Sequence, residues 1–502
     1  MWHRLLCCLW AAPVYAQSFT PISVPDHVYE GGWEHFVGGG IAAFDCDGDT
    51  LPELYAAGGT ASAELFRNTS TAQISFRIET PDALALTGVT GAYPLDFDSD
   101  GQTDLAVLRV GENKLLRGLG DCQFTQVPLP TSDRWTTSFS ATWEGANTRP
   151  TLVFGNYVDR SDPDGPFKAC DAHELYRPAH ATYKEPDLLT VGFCTLSMLF
   201  TDWARAGRQD LRVSNDRHYY VRGGQEQLWA MEPTPRLFGP EDGWLKHELW
   251  GMGIASRDVS GDGLPDVYLT SMGDQRLQLR EGEGPTYRDA SYSFGVTAHM
   301  PYEGGDGRPS TGWHAVFGDV QNDGLDDLFV TKGNVDQMPG SAFDDPNNLL
   351  VQTPTGFIER GGSAGLLSMA RSRGAALVDL NRDGLLDVAV VNRRAPLEVW
   401  QNTTRQAGNF VTIAPIQAAP NRNAVGAWIE LKVANKTIAR EITIGGGHAG
   451  GVLVPEHFGL GQAQTVQARI IWPDRKISEW VTLRANTHTT LTREGGGLLI
   501  DF

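Results

Sequence analysis

Short apolar runs recur along the chain, each four or five residues long and each beside an acidic turn. Residues 40–44 and 374–378 precede such turns, and residues 105–108, 267–270 and 388–391 follow them. Short runs of aliphatic and β-branched residues bounded by turn residues are typical of buried strands. Helical periodicity is absent from these segments, so the pattern predicts an all-β chain.

The acidic turns share one consensus, Asp-x-Asp/Asn-x-Asp-Gly-x-x-Asp, which recurs five times with small departures. The copies begin at residues 45, 96, 258, 319 and 379. Neighbouring copies start 51, 61 and 60 residues apart, and the gap of 162 residues after the second copy leaves room for two more repeats. Degraded copies stand in that gap, at residues 141–145 and 200–211. We therefore count seven repeats.

Seven repeats of this length, each with four short strands, predict a seven-bladed β-propeller. The last repeat lacks an outer strand of its own, because residues 397–400 run on into the C-terminal region. Residues 19–24 stand where an outer strand would precede the first inner strand. We expect this N-terminal strand to close the ring by pairing with the last blade, since closure removes an exposed sheet edge.

Beyond the repeats, residues 409–494 alternate apolar and polar positions in strand-length segments such as 411–416 and 428–433. Alternation with a period of two predicts half-buried strands, and here it indicates a small β-sandwich-like domain. The sequence thus predicts four parts: a signal peptide (1–16), the propeller (17–405), a C-terminal β domain (406–495) and a C-terminal tail (496–502).

The first sixteen residues are typical of a secretory signal peptide. Arg4 gives a basic start, residues 5–12 form an apolar stretch, and a small-residue pattern ends at Ala16. We expect cleavage near Ala16 and export to the periplasm or the extracellular space. No later stretch approaches the roughly 18 apolar residues of a membrane span, so none is expected.

Four cysteines remain after this cleavage, and an even number in an exported protein favours two disulfides. Cys170 and Cys194 lie in one loop-rich stretch outside the repeat pattern, so their pairing is the first choice. Cys46 and Cys122 would then join the first two repeats. Four free, buried thiols are the alternative.

The acidic turns call for a cation. The chain carries 61 acidic against 41 basic residues, a net charge of −20, which argues against nucleic acid or an anionic membrane as the main partner. Two carboxylates about 4 Å apart repel each other by roughly 1 to 4 kcal/mol. Ca²⁺ accepts six to eight oxygen ligands in flexible geometry, whereas Mg²⁺ requires a strict octahedron and Zn²⁺ favours His and Cys. We therefore predict about five Ca²⁺ sites.

In each turn, positions 1, 3, 5 and 9 supply side-chain oxygens and position 7 a backbone carbonyl, while glycine at position 6 permits the bend. Thr50 replaces that glycine in the first copy. We expect structural ions rather than regulatory sensors, since each ion would join two strands of one blade. The predicted ligands are Asp45, Asp47, Asp49, Leu51, Glu53, Asp96, Asp98, Asp100, Gln102, Asp104, Asp258, Ser260, Asp262, Leu264, Asp266, Asp319, Gln321, Asp323, Leu325, Asp327, Asp379, Asn381, Asp383, Leu385 and Asp387.

These motifs resemble two known modules. The acidic repeats, for example residues 253–269, resemble the FG-GAP/VCBS repeat of integrin-like propellers. Together with the C-terminal region, the chain is similar to the cartilage-acidic-protein-like family, although Arg475 stands where that family usually has glycine. The resemblance implies a secreted calcium-binding protein and leaves its activity undefined. The segments that resemble the ASPIC/UnbV domain are 423–431, 440–441, 445–447, 457–461 and 471–474.

The long insertions predict a binding face. Acidic turns connect the first and second strands of each blade, so all of them should lie on one face of the ring. Residues 156–194, 298–313 and 331–348 belong to the other class of connection and should lie on the opposite, metal-free face. Long loops on a rigid scaffold often carry function. We predict a protein or glycan ligand there, with His299, Glu303, Asp306, Trp313, His314, Asp336, Asp344 and Asp345 as candidate contacts.

The same loops leave an enzymatic alternative open, a polysaccharide lyase or hydrolase. His299, Glu303, Asp306 and His314 have the chemistry of an acid, a base or a further metal site. No nucleophile elbow, phosphate loop or zinc motif accompanies them. We therefore expect a binding, adhesion or scaffold protein rather than an enzyme.

Overall fold

The structure, a computed structural model, describes residues 17–162, 169–216, 223–433, 436–495 and 497–502. The predicted signal peptide lies outside the described residues. Within them the regular secondary structure is almost entirely β-strand, as the sequence predicts. Its helical elements there are α1 (Gly361–Ala364) and three 3₁₀ turns at Trp33–His35, Pro240–Asp242 and Tyr292–Phe294. No helix in the described part of the chain is long and apolar enough to cross a membrane.

The propeller strands follow one another in chain order. They are β1 (Phe19–Ile22), β2 (Ile41–Phe44), β3 (Glu53–Ala56), β4 (Glu64–Asn68), β5 (Phe76–Ile78), β6 (Val89–Leu95), β7 (Asp104–Gly111), β8 (Lys114–Gly118), β9 (Phe124–Val127), β10 (Arg134–Thr142), β11 (Thr151–Asn156), β12 (His173–Tyr176), β13 (Pro178–Ala179), β14 (Thr182–Tyr183), β15 (Asp187–Leu189), β16 (Thr195–Thr201), β17 (Asp210–Asn215), β18 (Gln227–Ala230), β19 (Arg236–Leu237), β20 (Gly251–Arg257), β21 (Asp266–Ser271), β22 (Arg276–Glu281), β23 (Thr286–Asp289), β24 (Gly312–Gly318), β25 (Asp327–Lys332), β26 (Asn348–Thr353), β27 (Gly356–Glu359), β28 (Arg371–Val378), β29 (Asp387–Arg393) and β30 (Glu398–Asn402).

Among the described residues these strands form seven blades, each with four antiparallel strands, and the predicted count is confirmed. Blades 1, 2, 4, 5 and 6 contain β2–β5, β6–β9, β16–β19, β20–β23 and β24–β27. Blade 3 contains β10, β11, β12 and β15, with β13 and β14 as an inserted hairpin. Blade 7 consists of β28–β30 and the N-terminal β1, in which Phe19 lies opposite Asn402. The N-terminal strand therefore closes the ring, as predicted.

The innermost strand of blades 2 to 7 contains an irregularity that the sequence did not predict. In each blade the register between the first and second strands shifts near the start of the first, as between Val89 and Gly91 in β6. A bulge of this kind bends a strand and increases its twist.

The C-terminal domain is the predicted β-sandwich, with sheets ordered β35-β31-β38-β39 and β33-β32-β36-β37. Its interior includes Ile413, Leu431, Phe458 and Ile470. The residues that the sequence assigned to a tail form its last strand, which pairs with the one before it. The strands are β31 (Asn409–Ile416), β32 (Trp428–Val433), β33 (Lys436–Glu441), β34 (Val452–Leu453), β35 (Glu456–Gly461), β36 (Thr465–Ile471), β37 (Val481–Arg484), β38 (Thr487–Glu494) and β39 (Gly497–Asp501).

A glycine-rich stretch between β33 and β34, residues 444–451, enters the central channel of the propeller; we call it the channel segment. It leads directly into β34, which pairs in parallel with β2 of blade 1. A Cβ atom on Gly447 would lie 2.3 Å from Cε1 of His314, and one on Gly450 would lie 2.2 Å from the carbonyl oxygen of Ile41. Side chains at these positions would therefore collide with the channel wall. Its bridges to the blades pair Ile444 with Ala141, Gly445 with Leu199, Gly447 with Ile254 and Gly450 with Ala92.

Two disulfides, both predicted, hold connections of the propeller. Cys46 in the acidic turn of blade 1 is bonded to Cys122, which lies between β8 and β9 of blade 2. Cys170 and Cys194 are bonded across the long insertion of blade 3. The first bond therefore joins neighbouring blades beside an acidic turn.

Candidate metal turns and a pocket on the opposite face

The last carboxylate of each acidic turn lies inside its blade. Asp104, at position 9 of the turn in blade 2, is 0% exposed and accepts hydrogen bonds from the N–H groups of Phe97 (2.9 Å) and Gly118 (2.7 Å). These bonds attach the turn to the third strand of the blade. The other four intact turns have the same arrangement at Glu53, Asp266, Asp327 and Asp387.

The backbone of each turn wraps around its first carboxylate. In blade 2, Asp96 accepts the N–H groups of Asp100 (3.1 Å) and Gly101 (3.0 Å). Two residues take the left-handed conformation, Ser99 with φ 62° and Gly101 with φ 88°. The sequence predicted the second of these bends and missed the first. In blade 1 the second bend falls on Thr50, with φ 75°.

Three carboxylates converge in each of the first two turns. Asp45, Asp47 and Glu53 each offer an oxygen, and the three oxygens lie within 4.8 Å of one another; Asp96, Asp98 and Asp104 do the same. Burial, together with the charges of Asp98 and Asp96, raises the pKa of Asp104 to about 8. An oxygen-only donor set that is costly to ionise fits a hard divalent cation such as Ca²⁺.

In the other three intact turns, position 3 carries a neutral side chain, Ser260, Gln321 or Asn381. The amides of Gln321 and Asn381 each donate a hydrogen bond of 3.0 Å to the position 5 carboxylate of the same turn, Asp323 and Asp383. These turns therefore gather fewer charges than the first two.

Arginines on third strands neutralise part of this charge. Arg67 lies 2.6 Å from Asp47. Arg117 lies 2.8 Å from Asp98 and 2.6 Å from Asp100. These pairs were not predicted, because the arginines stand outside the motif.

The degraded turn of blade 4 binds the C-terminal domain. The backbone N–H of Asp202 and the hydroxyl of Thr201 each donate a 2.7 Å hydrogen bond to Glu441. Arg205 lies 2.7 Å from Glu430 of the same domain. The loss of acidic residues in this turn therefore accompanies its use as a contact surface.

A buried ion pair anchors the domain to blade 6. Arg440 lies 2.6 Å from Asp326, and both side chains are at most 10% exposed. Burial opposes the ionisation of Asp326, but Arg440 and Arg257 outweigh it and hold its pKa below the usual value. The C-terminal domain thus lies against the face that carries the acidic turns.

The opposite face contains a cavity of about 370 Å³. Its lining residues stand where first strands begin or second strands end, away from the acidic turns. They are Trp33, Phe36, Val37, Tyr157, Asp216, Trp250, Met252, Met272, Trp313, Val335, Asp336, Gln337 and Met338.

The tip of the channel segment supports the floor of this cavity. Trp313 is fully buried there, and its ring lies 5.1 Å from the ring of His448. One ring nitrogen of His448 bonds the carbonyl of Met252 (3.1 Å), and the other bonds the N–H of Gly38 (3.3 Å). The guanidinium of Arg373 lies over the ring of Trp313, 3.8 Å from its centroid.

Two of the eight candidate ligand contacts, Trp313 and Asp336, line the cavity. Asp345 is buried and accepts hydrogen bonds from Ser310 and Thr311, which indicates a structural role. Glu303 and Asp344 are exposed and do not line the cavity. Trp313 apart, the aromatic residues near the start of inner strands, such as Trp250, are the signal that the sequence analysis missed.

The four residues considered for catalysis have separate surroundings. His314 is buried, and its Nδ1 accepts the N–H of His448 (2.9 Å). His299 is exposed and pairs with Asp274, while Asp306 pairs with Arg308. In the described part of the chain no hydrogen bond or ion pair joins any two of the four.

Two family matches agree with this architecture. Residues 45–107 match the FG-GAP-like repeat, and residues 417–497 match ASPIC and UnbV. The chain therefore combines a propeller that contains an FG-GAP-like repeat with a C-terminal ASPIC/UnbV domain. No curated protein matches the sequence.

Several solved structures resemble the chain in fold. BBS1N, crystallised in complex with ARL6DN, is 10% identical, with a TM-score of 0.47 over 78% of this chain and 98% of that one. A lectin of Agrocybe aegerita is 12% identical, with a TM-score of 0.40 over 73% and 94% of the two chains. AofleA from Arthrobotrys oligospora is 9% identical, with a TM-score of 0.37 over 66% and 88%. Likenesses this distant do not indicate what the FG-GAP-like propeller binds.

Proposed function

We propose that this protein is an exported binding or adhesion propeller, with Ca²⁺ in its five intact acidic turns and a ligand on the metal-free face. The observation that carries the proposal is the division of the ring between its two faces. The acidic turns and the ASPIC/UnbV domain occupy one face, and a cavity built by five blades and their connections opens on the other.

The calcium part rests on the donor set. In blade 2 the ligands would be the carboxylates of Asp96, Asp98, Asp100 and Asp104 with the carbonyl of Gln102. These residues lie on both sides of the link between the first and second strands, and Asp104 also holds the third strand. A bound ion would relieve the repulsion among the carboxylates and staple the inner part of the blade.

Removal of calcium tests this part. A site that binds Ca²⁺ only in the folded state adds about 2.7 kcal/mol at one hundred times its Kd. We expect EDTA to lower the melting temperature of the mature protein by many degrees in scanning calorimetry, and Ca²⁺ to restore it. An unchanged melting temperature would refute structural calcium.

A matched pair of variants locates the ions. Asp98→Asn removes a candidate ligand from the turn of blade 2, whereas Asp82→Asn changes an exposed acid outside the five acidic turns. We expect the first variant to bind one Ca²⁺ fewer than the wild type by titration calorimetry and the second to bind the same number. Equal stoichiometry in both variants would remove blade 2 from the set of sites.

An array of glycans and extracellular proteins tests the binding part. Labelled mature protein in Ca²⁺ should be retained on a subset of spots without changing them chemically. Turnover of an arrayed polysaccharide would overturn the binding assignment in favour of the enzymatic alternative.

A further inference from the structure

The cavity on the metal-free face has the size of a small-molecule site. Its volume of about 370 Å³ falls within the range of ligand pockets, roughly 300 to 1,000 Å³. Trp33 stands at its rim, 44% exposed, with its ring 4.6 Å from that of Phe36. Trp313 forms part of the floor. The exposed flat aromatic surface at the rim suits a ligand that presents an apolar ring face.

The charges around the floor disfavour a cationic ligand. Arg373 is fully buried under Trp313 and donates its hydrogen bonds to backbone carbonyls, among them those of Phe36 and Val335, rather than to a carboxylate. Its positive charge therefore already makes the cation–π contact with the Trp313 ring that an organic cation would otherwise make. A cation that entered the cavity beside Trp313 would be repelled by this buried charge.

The carboxylates of the lining disfavour an anion. Asp336 lines the cavity, 41% exposed at its side chain, and lies 3.1 Å from Arg394 and 3.4 Å from Arg371. Asp216 lines it too and accepts the hydroxyl of Tyr157 at 2.5 Å. Both repel an anion, and the exposed Asp336 is a hydrogen-bond acceptor that a hydroxyl group can reach.

We propose that this cavity binds a neutral saccharide ring, such as the terminal sugar of a glycan. A C–H face of the ring would pack on Trp33, and a hydroxyl of the sugar would donate to Asp336. The inference rests on the proposed binding function of the metal-free face and names its ligand class.

Titration calorimetry with the mature protein in Ca²⁺ tests the ligand class. The probes are neutral sugars (glucose, galactose, mannose, fucose, N-acetylglucosamine and their disaccharides), the cations choline and tetramethylammonium, and the anions glucuronate and sialic acid. We expect saturable binding of at least one neutral sugar with a change in tryptophan fluorescence. Failure of every neutral sugar, or binding of cations or anions alone, would overturn the proposal.

Variants then locate the site. Trp33→Ala removes an exposed ring and should weaken binding about tenfold, in line with the value of one aromatic contact. Tyr292→Ala removes a ring that is 75% exposed and does not line the cavity, so it should leave binding unchanged. If Trp33→Ala unfolds, Asp336→Asn takes its place. Sugar binding that survives both Trp33→Ala and Asp336→Asn would place it elsewhere.

The two levels of the proposal fail separately. Retention of a protein partner on the array, with no neutral sugar bound in calorimetry, would keep the binding function and reject the saccharide. A melting temperature that does not depend on Ca²⁺ would reject the calcium sites and would leave the proposed ligand class untouched.

Discussion

Thr50 adopts a backbone conformation that its own side chain opposes. The equivalent residue of blade 2 is Gly101, and both have a positive φ, 75° and 88°. The left-handed region costs a residue with a Cβ atom roughly 1 to 2 kcal/mol. The first acidic turn therefore carries strain at this position, where the second turn has a glycine.

Replacing this threonine by glycine should relieve the strain. We expect Thr50→Gly to raise the free energy of unfolding by about 1 kcal/mol in excess Ca²⁺, measured by chemical denaturation. The hydrogen bond from Arg382 to the Thr50 hydroxyl is exposed, so its loss matters little. Thr71→Gly, at an exposed position without a positive φ, should not stabilise. A destabilised Thr50→Gly would contradict the argument.

His448 at the tip of the channel segment makes the fold sensitive to acid. Burial, with the charge of Arg373 and the ring of His314 nearby, lowers its pKa to about 3. The unfolded chain has an ordinary histidine pKa of about 6.5 and binds the proton first as pH falls. The contribution of the neutral His448 to the free energy of unfolding is therefore fully present above about pH 6.5 and is lost as the pH falls from there to about 3.

The measurement is the free energy of unfolding between pH 7 and 4.5. Below pH 6.5 each such histidine costs about 1.4 kcal/mol per pH unit, so His448→Gln should flatten the slope by about that amount. His180→Gln, at an exposed residue, should leave the slope unchanged. Equal slopes in the wild type and His448→Gln would show that this ring does not control acid stability.

The sequence predicts residues well where a local pattern fixes them. The motif names the carboxylates of the turns because their spacing is a property of nine consecutive residues. Arg67 and Arg117 escape it, since each reaches the turn from the third strand. The motif also does not identify Trp33, because Trp33 forms part of the cavity only together with residues from other blades.

At the scale of elements, the channel segment is the part of the chain least visible in the sequence. Residues 445–447 are three glycines, which by themselves indicate only a flexible turn. Their neighbours in the fold are inner strands one hundred to four hundred residues away, and no local periodicity encodes such contacts. Strands and ring closure, in contrast, follow from repetition and from the need to cover a sheet edge.

Gly447→Ala tests the fit of this segment. Gly447 has φ 58° and would bring a Cβ atom to 2.3 Å from His314, whereas Gly282 has φ 70° and open space around it. Both alanine variants suffer backbone strain, but only the first meets the channel wall. We expect Gly447→Ala to lose about 2 kcal/mol more than Gly282→Ala in chemical denaturation. Equal losses would mean that the channel adapts to the extra methyl group.

At the scale of the whole molecule, propeller and C-terminal domain form one interlocked structure. The channel segment bridges blades 2 to 5, and β34 pairs with blade 1. Buried pairs such as Arg440 with Asp326 add polar contacts outside the channel. Separating the two parts would expose all of these groups together.

We therefore expect a single cooperative transition in scanning calorimetry in Ca²⁺. If the C-terminal domain were an appended module, it would melt separately and give two transitions. The variant Arg440→Ala removes the shorter of the two arginine contacts of the buried Asp326, leaves only Arg257 at 3.4 Å, and should lower the common melting temperature. Two resolved transitions in the wild type would contradict interlocking.

The position of the channel segment in the sequence also determines when the cavity can form during synthesis. The ribosome completes all seven blades before it reaches His448, whose ring supports Trp313 from below. A chain that ends before the channel segment would have an unfilled central channel and a cavity without the support of its floor. The cavity thus becomes complete only after residue 448 has been made, so that binding there would report a chain that extends through the channel segment.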